Sequence, residues 1–265
     1  MQNKKLIAFN IKETVNHNHW IEFVSFSNNE QLLAFCSADI VTIVELEQNA
    51  SYQLLHDTVV WRCAFVDNDA YIISTGSNGF LYKWNLVQRT QSLSKKLHKD
   101  TIFGLSVHPH EPIVITGGRD GAIVCYNHDT DTILTALRGH TDSVEDVAFS
   151  LCGSFIASGS KDKVVLLWNS YLDKDQVSAV SFTGHRHYVT KCAFSNDSKL
   201  LATVSYDKRI GIWSIKERCL ISFLRGHTNI IWGCVFISND MLMTCSSDKS
   251  VRYSVSFRIS PYYVR

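Results

Sequence analysis

Residues 139–168 read GHTDSVEDVAFSLCGSFIASGSKDKVVLLW, and three short apolar runs inside them, 144–149, 155–159 and 164–167, are separated by small and polar turn formers. Each run is too short for a helix and rich in β-branched or aromatic residues, which predicts three strands joined by tight turns. The runs are nearly continuous in apolar residues instead of alternating, so both faces of this small sheet are expected to be covered.

What covers them is another copy of the same unit. In residues 139–168 a His is followed 22 residues later by Asp162 and 28 later by Trp168, and the same offsets return at His185, Asp207 and Trp213. They recur upstream at His98, Asp120 and Tyr126, and at His56, Asn78 and Trp84. A fifth copy, His227 with Asp248, is one residue short and carries Ser254 in the aromatic position; a sixth, His17 with Asp39, carries Glu45. The histidines stand 39, 42, 42, 45 and 42 residues apart. A period near 42 with several strands per repeat is the signature of an all-β propeller.

The pattern resembles the WD-repeat family, on Gly139-His140, Gly184-His185, Gly226-His227, Trp168 and Trp213. The likeness runs over roughly residues 15 to 254. It implies a hydrogen-bonded tetrad within each blade, made of the His, a strand hydroxyl, the turn Asp and the Trp. Carried onto this sequence, the hydroxyls are Ser74, Thr116, Ser158, Thr203 and Thr244, four residues before the turn position. An indole N–H donates to the hydroxyl, the hydroxyl to the imidazole, and the imidazole to the carboxylate. These residues are therefore expected to hold structure and not to catalyse. The Asp expected after each Trp is replaced by Asn85, Asn169 and Ser214, and Phe35 and Glu45 leave the first repeat unable to form a tetrad.

One propeller domain is expected over 1–265, with repeats starting near 15, 55, 97, 139, 184 and 226 and an atypical tail over 255–265. Residues 5–11, Lys-Leu-Ile-Ala-Phe-Asn-Ile, read as a strand that would close the ring. Outer strands are expected at 51–55, 91–97, 132–137, 179–182 and 219–224, and the longest step is assigned to a polar loop at 171–175. Two architectures stay open: a six-bladed ring closed by 5–11, and a seven-bladed ring lacking its last repeat.

Composition limits the function. The chain is 45% hydrophobic and 19% charged with a net charge of +1, so it offers no broad field for a phosphate backbone, and nucleic acid is not expected as a partner. No run of eighteen apolar residues exists to span a membrane, and the N-terminal apolar run is too short for a signal peptide. An intracellular protein is expected, cytoplasmic or nuclear. The eight cysteines include no Cys-x-x-Cys pair; Cys63, Cys192 and Cys234 share the position seven after the His, as free buried thiols would.

No phosphate loop, nucleophile elbow or His-Glu-x-x-His motif is present. The pairs His17/His19, His108/His110 and His185/His187 and the loops at 67–69 and 129–131 carry metal-ligand types, but they coincide with repeat histidines and turns, so neither metal nor cofactor is expected. The informative positions repeat in place and vary in type. In the family the residues three and five after the His, and the one before the turn acid, surround the channel mouth. Here they supply Trp20, Trp61, Phe103, Arg119, Glu145, Lys161, Tyr188, Tyr206 and Trp232. Exposed Trp, Tyr and Arg are the types that anchor interfaces; about half of these rings are expected between blades, as core aromatics usually are.

The expected function is a non-enzymatic scaffold, a monomeric module within a larger complex, that binds a peptide or protein partner on this face. Two alternatives are a substrate receptor of a cullin-type ubiquitin ligase, for which Trp213-Ser214-Ile215-Lys216 is the nearest adaptor-like segment, and an enzyme using the channel as a pocket.

Overall fold

The computed structural model describes residues 19–48, 50–170 and 179–255. All regular structure among them is β. The first blade comprises β1 (Phe23–Phe26), β2 (Leu32–Ser37), β3 (Ile40–Glu45) and β4 (Ala50–Leu55); the second β5 (Val60–Val66), β6 (Tyr71–Gly76), β7 (Phe80–Asn85) and β8 (Thr90–Lys96). The third holds β9 (Ile102–Val107), β10 (Ile113–Gly118), β11 (Ala122–Asn127) and β12 (Thr132–Arg138), and the fourth β13 (Val144–Phe149), β14 (Phe155–Ser160), β15 (Val165–Asn169) and β16 (Ala179–Phe182). The fifth has β17 (Val189–Phe194), β18 (Leu200–Ser205), β19 (Arg209–Ser214) and β20 (Cys219–Arg225), and the sixth β21 (Ile231–Ser238), β22 (Met241–Ser246) and β23 (Val251–Val255). Each blade is an antiparallel meander paired in chain order, four-stranded in the first five and three-stranded in the sixth. The expected outer strands at 51–55, 91–97, 132–137, 179–182 and 219–224 thus appear within a residue of their places. The closing strand at 5–11, the loop at 171–175, His17 and the tail beyond 255 lie outside the described residues.

The apolar runs form two-sided strands because blades two to five are sandwiched between neighbours. The inner strands pack in sequence, β1 on β5, β5 on β9, β9 on β13, β13 on β17 and β17 on β21. The second strands of the first five blades are mostly buried, as at Leu200–Ser205. Cores form between neighbours: Ile115, Val144, Val147, Ile156 and Trp168 from the third and fourth blades, and Ala157, Val189, Leu201 and Trp213 from the fourth and fifth. The two ends of the series differ. Val24 and Phe26 of β1 are exposed, although Phe65, Phe194 and Phe236, the same offset in other blades, are buried; Val235 and Ile237 of β21 are exposed on the other side.

The tight turn of repeats two to six places a left-handed residue after its acid or amide. Gly79, Gly121, Lys163, Lys208 and Lys249 all take positive φ there, between 65° and 81°. The turn acid enforces this: Asp162 Oδ1 accepts the N–H of Val164 at 2.9 Å, Asp207 that of Arg209 at 2.9 Å, and Asp248 that of Ser250 at 2.9 Å.

Candidate functional site: the blade tetrads, the mouth and the axis

The tetrads set the blades' geometry. In the fourth blade the Trp168 indole N–H donates to Ser158 Oγ (3.1 Å), which lies 2.8 Å from His140 Nε2, and His140 Nδ1 lies 2.8 Å from Asp162. A carboxylate only accepts, so Nδ1 holds the proton and Nε2 receives the hydroxyl's. The fifth blade repeats this with Trp213, Thr203, His185 and Asp207 at 2.8, 2.8 and 3.0 Å. The same carboxylates also accept the N–H following the His, from Thr141 and Arg186. Burial tends to raise the Asp162 and Asp207 carboxyls, but these hydrogen bonds outweigh it and hold both below the usual range. Burial drives the His140 imidazole down against the pull of Asp162, so the chain pairs a neutral ring with an anion.

Three other blades differ from this wiring, the sixth as its sequence implies. In the third, His98 bridges Thr116 and Asp120 at 2.9 Å each, but Tyr126 takes no part: its hydroxyl reaches past the chain to Asp131 at 2.8 Å, because a phenol is longer than an indole N–H. In the second, Asn78 does not reach His56. The His56 Nδ1–H donates to the Leu54 carbonyl (3.1 Å), while Nε2 faces both Ser74 Oγ (2.7 Å) and the Trp84 indole (3.1 Å). Asn78 instead donates to Tyr82, which donates to Asp57, both at 2.7 Å. An amide is not an anion, and the carboxylate here comes from the residue after the His. The sixth blade keeps His227 between Thr244 (2.9 Å) and Asp248 (2.8 Å) without an indole.

The mouth is built by a backbone irregularity that residue types do not reveal. In blades two to six the inner strand carries a β-bulge, and the residues skipped in the pairing are Trp61, Phe103, Glu145, Thr190 and Trp232. A bulge leaves one side chain out of the ladder and re-aims it. Four of the five become a continuous arc with their neighbours. Trp61 meets Phe103 edge-on at 5.1 Å, Lys161 lies over Phe103 and Tyr188 at 5.6 and 5.8 Å, Tyr188 meets Tyr206 at 5.5 Å, and Tyr206 meets Trp232 edge-on at 5.2 Å. His187 stacks on Tyr206 at 5.3 Å. Glu145 anchors the lysine at 3.4 Å. Both indoles are pinned through their N–H, Trp61 to Ser77 at 2.9 Å and Trp232 to Ser247 at 2.5 Å. Arg119 lies on the rim against Asp100 at 3.8 Å.

Burying about half of the rings between blades is not what the structure shows: Trp61, Phe103, Tyr188 and Tyr206 are half-buried and Trp232 is exposed. The fifth bulge residue, Thr190, turns inward and donates to the Ile231 carbonyl at 2.6 Å. Trp20 is 88% exposed and makes no ring contact with the arc.

One residue beyond each bulge, six after the repeat histidine, a second layer crosses the axis. Lys191 Nζ lies 2.7 Å from Asp146 Oδ1, Arg62 approaches the same carboxylate at 4.0 Å, and both cations sit over the Phe23 ring, at 5.6 and 4.8 Å. Asp146 also accepts the Cys192 N–H at 2.9 Å. The sequence signal that would have found these residues is their shared offset with charges that vary in sign.

The metal-ligand types are otherwise engaged. Asp67, His128 and Asp129 converge, but the Lys83 ammonium stands among them, 2.7 Å from Asp67 and 3.6 Å from Asp129. His108 accepts the N–H groups of His110 and Glu111 at one nitrogen and donates to the Gly153 carbonyl with the other. All eight cysteines are free; Cys63, Cys192 and Cys234 are buried as expected, with Cys36 and Cys125, while Cys152, Cys219 and Cys245 are exposed. Trp213 and Ser214 are buried, so the adaptor-like segment does not present its first two residues. Among the described residues no helix is long and apolar enough to cross a membrane.

Comparison with known proteins accounts for the repeat. The family model described as "WD domain, G-beta repeat" matches residues 89–127, 131–169, 176–214 and 218–253, more than half of the chain. Similar proteins include a ribosome biogenesis protein WDR12 homolog of Brugia malayi, 29% identical over 225 residues, covering 72% of this chain and 51% of that protein. Protein HIR1 of Mycosarcoma maydis is 30% identical over 60% of this chain and 18% of its own length. Nuclear distribution protein PAC1 of Candida albicans is 26% identical over 71% of this chain and 38% of its own. The chain spans about half or less of the length of these relatives. With four matched repeats, six meanders in order and His–hydroxyl–Asp chains in four of them, the chain belongs to the WD-repeat family.

Proposed function

We propose that the chain is a non-enzymatic scaffold that binds a peptide or protein partner across the aromatic arc, as one module of a larger complex. The observation that carries this reading is the continuity of the arc. Rings from four blades and the lysine of a fifth form one connected surface, and hydrogen bonds hold both terminal indoles. Rings so fixed lose little further freedom on binding, so less of the interaction energy is spent on ordering them. Aromatic anchors of this kind cost above ~2 kcal/mol of affinity when a central one is truncated.

The test is affinity capture on the full chain with quantitative mass spectrometry, comparing wild type with Trp61→Ala and Trp232→Ala. Partners retained by wild type should be depleted on both variants at unchanged melting temperature. Equal recovery on all three proteins would remove this face as the docking surface.

A further inference from the structure

We infer that the axial layer beneath the arc receives one carboxylate, and hence that the partner's contact segment carries an Asp or Glu beside the residues that lie on the rings. The inference rests on the arc being the docking surface and names the chemistry of what docks there.

Charge in the axis does not balance. Two cations, Arg62 and Lys191, share Asp146, which among the described residues is the single carboxylate within 4.0 Å of either. Asp146 is committed to Lys191 at 2.7 Å and to the Cys192 N–H at 2.9 Å, so Arg62 is left at the outer limit of pairing. The Arg62 Nε is buried without a hydrogen-bond partner, and one terminal nitrogen is spent on the Trp61 carbonyl at 3.3 Å. Exposure follows the same division: the Asp146 side chain is 0% exposed, while Arg62 and Lys191 retain 15% and 23%. An approaching group therefore meets two cations and not the carboxylate that offsets one of them. A guanidinium in that position offers a fork of donors matched to a carboxylate. Arg62 directly follows Trp61, so a segment lying on the arc passes over it.

The experiment selects ligands from a library of random heptapeptides, acetylated and amidated at their ends, on the immobilised full chain. A selected peptide and its analogue with Glu→Gln or Asp→Asn are then titrated by fluorescence anisotropy. The acid should bind wild type at least about tenfold more tightly than the amide, and Arg62→Met, which leaves the Lys191–Asp146 pair whole, should reduce that ratio to about twofold or less. Lys191→Met, which frees Asp146 for Arg62, should do the same by the other route. Arc-bound peptides without acid preference, or a preference that survives both substitutions, would overturn the inference and leave the docking surface standing. Selected peptides whose binding ignores Trp232→Ala would remove both.

Discussion

The tetrads allow a sharp test, because removing one oxygen strands two other atoms. Ser158 is fully buried, and its Oγ serves the Trp168 indole at 3.1 Å and His140 Nε2 at 2.8 Å. In Ser158→Ala the indole N–H and the imidazole nitrogen lose their partner where water does not reach. Each orphaned buried polar atom costs about 1–3 kcal/mol, so the substitution should destabilise by about 2–6 kcal/mol. For a chain of this size that corresponds to a melting temperature lower by roughly 5–15 °C. Thr42→Val is the internal control. Thr42 is buried in the first blade, which lacks a tetrad, and its hydroxyl has no hydrogen-bond partner. Removing it strands nothing, so Thr42→Val should be neutral or stabilising by up to about 1 kcal/mol. Urea unfolding of both variants decides the matter. A Ser158→Ala midpoint shifted by no more than that of Thr42→Val, at equal slope, would refute the reasoning.

Acid should unfold the protein in two stages. Burial holds the His56 and His140 imidazoles below their ordinary value, so their contribution is present above about pH 6.5 and is lost as pH falls below it. Hydrogen bonds hold Asp120 and Asp162 low in spite of burial, so a second loss begins below about pH 4; urea midpoints that stay flat from pH 7.5 to 5.5 would contradict the first stage. Gly79→Ala should destabilise by more than about 1–2 kcal/mol, because φ is +81° and the new methyl would collide with the His98 carbonyl. Lys163→Gly, at the equivalent turn with φ of 72°, should stay within about 1 kcal/mol of wild type by differential scanning calorimetry, since relief of the left-handed strain offsets the added freedom of the unfolded chain.

The blades were legible in the sequence because the physics that forms them is local. Short β-branched runs between turn formers specify strands, and the fixed offsets from His140 to Ser158, Asp162 and Trp168 reflect strands of nearly constant length paired in constant register. What sequence did not reveal depends on backbone register and distant partners. The bulges at Trp61, Phe103, Glu145 and Trp232 leave no mark in residue type, yet they re-aim these side chains toward the mouth. Asn78 could be seen to lack a charge, but not that Asp57 would serve Tyr82 in its place. Arg62, Asp146 and Lys191 are far apart in sequence and converge only because blades two, four and five face one axis.

The central claim is that one set of residues holds the fold while another, on the same blades, holds the partner. The most direct test crosses the two in a single experiment: partner affinity and melting temperature measured together for Tyr206→Ala and Ser158→Ala. Tyr206→Ala should weaken binding at least about tenfold and move the melting temperature by no more than about 3 °C, while Ser158→Ala should lower the melting temperature and leave the affinity of the folded protein unchanged. Loss of affinity in step with loss of stability in both variants would contradict the account.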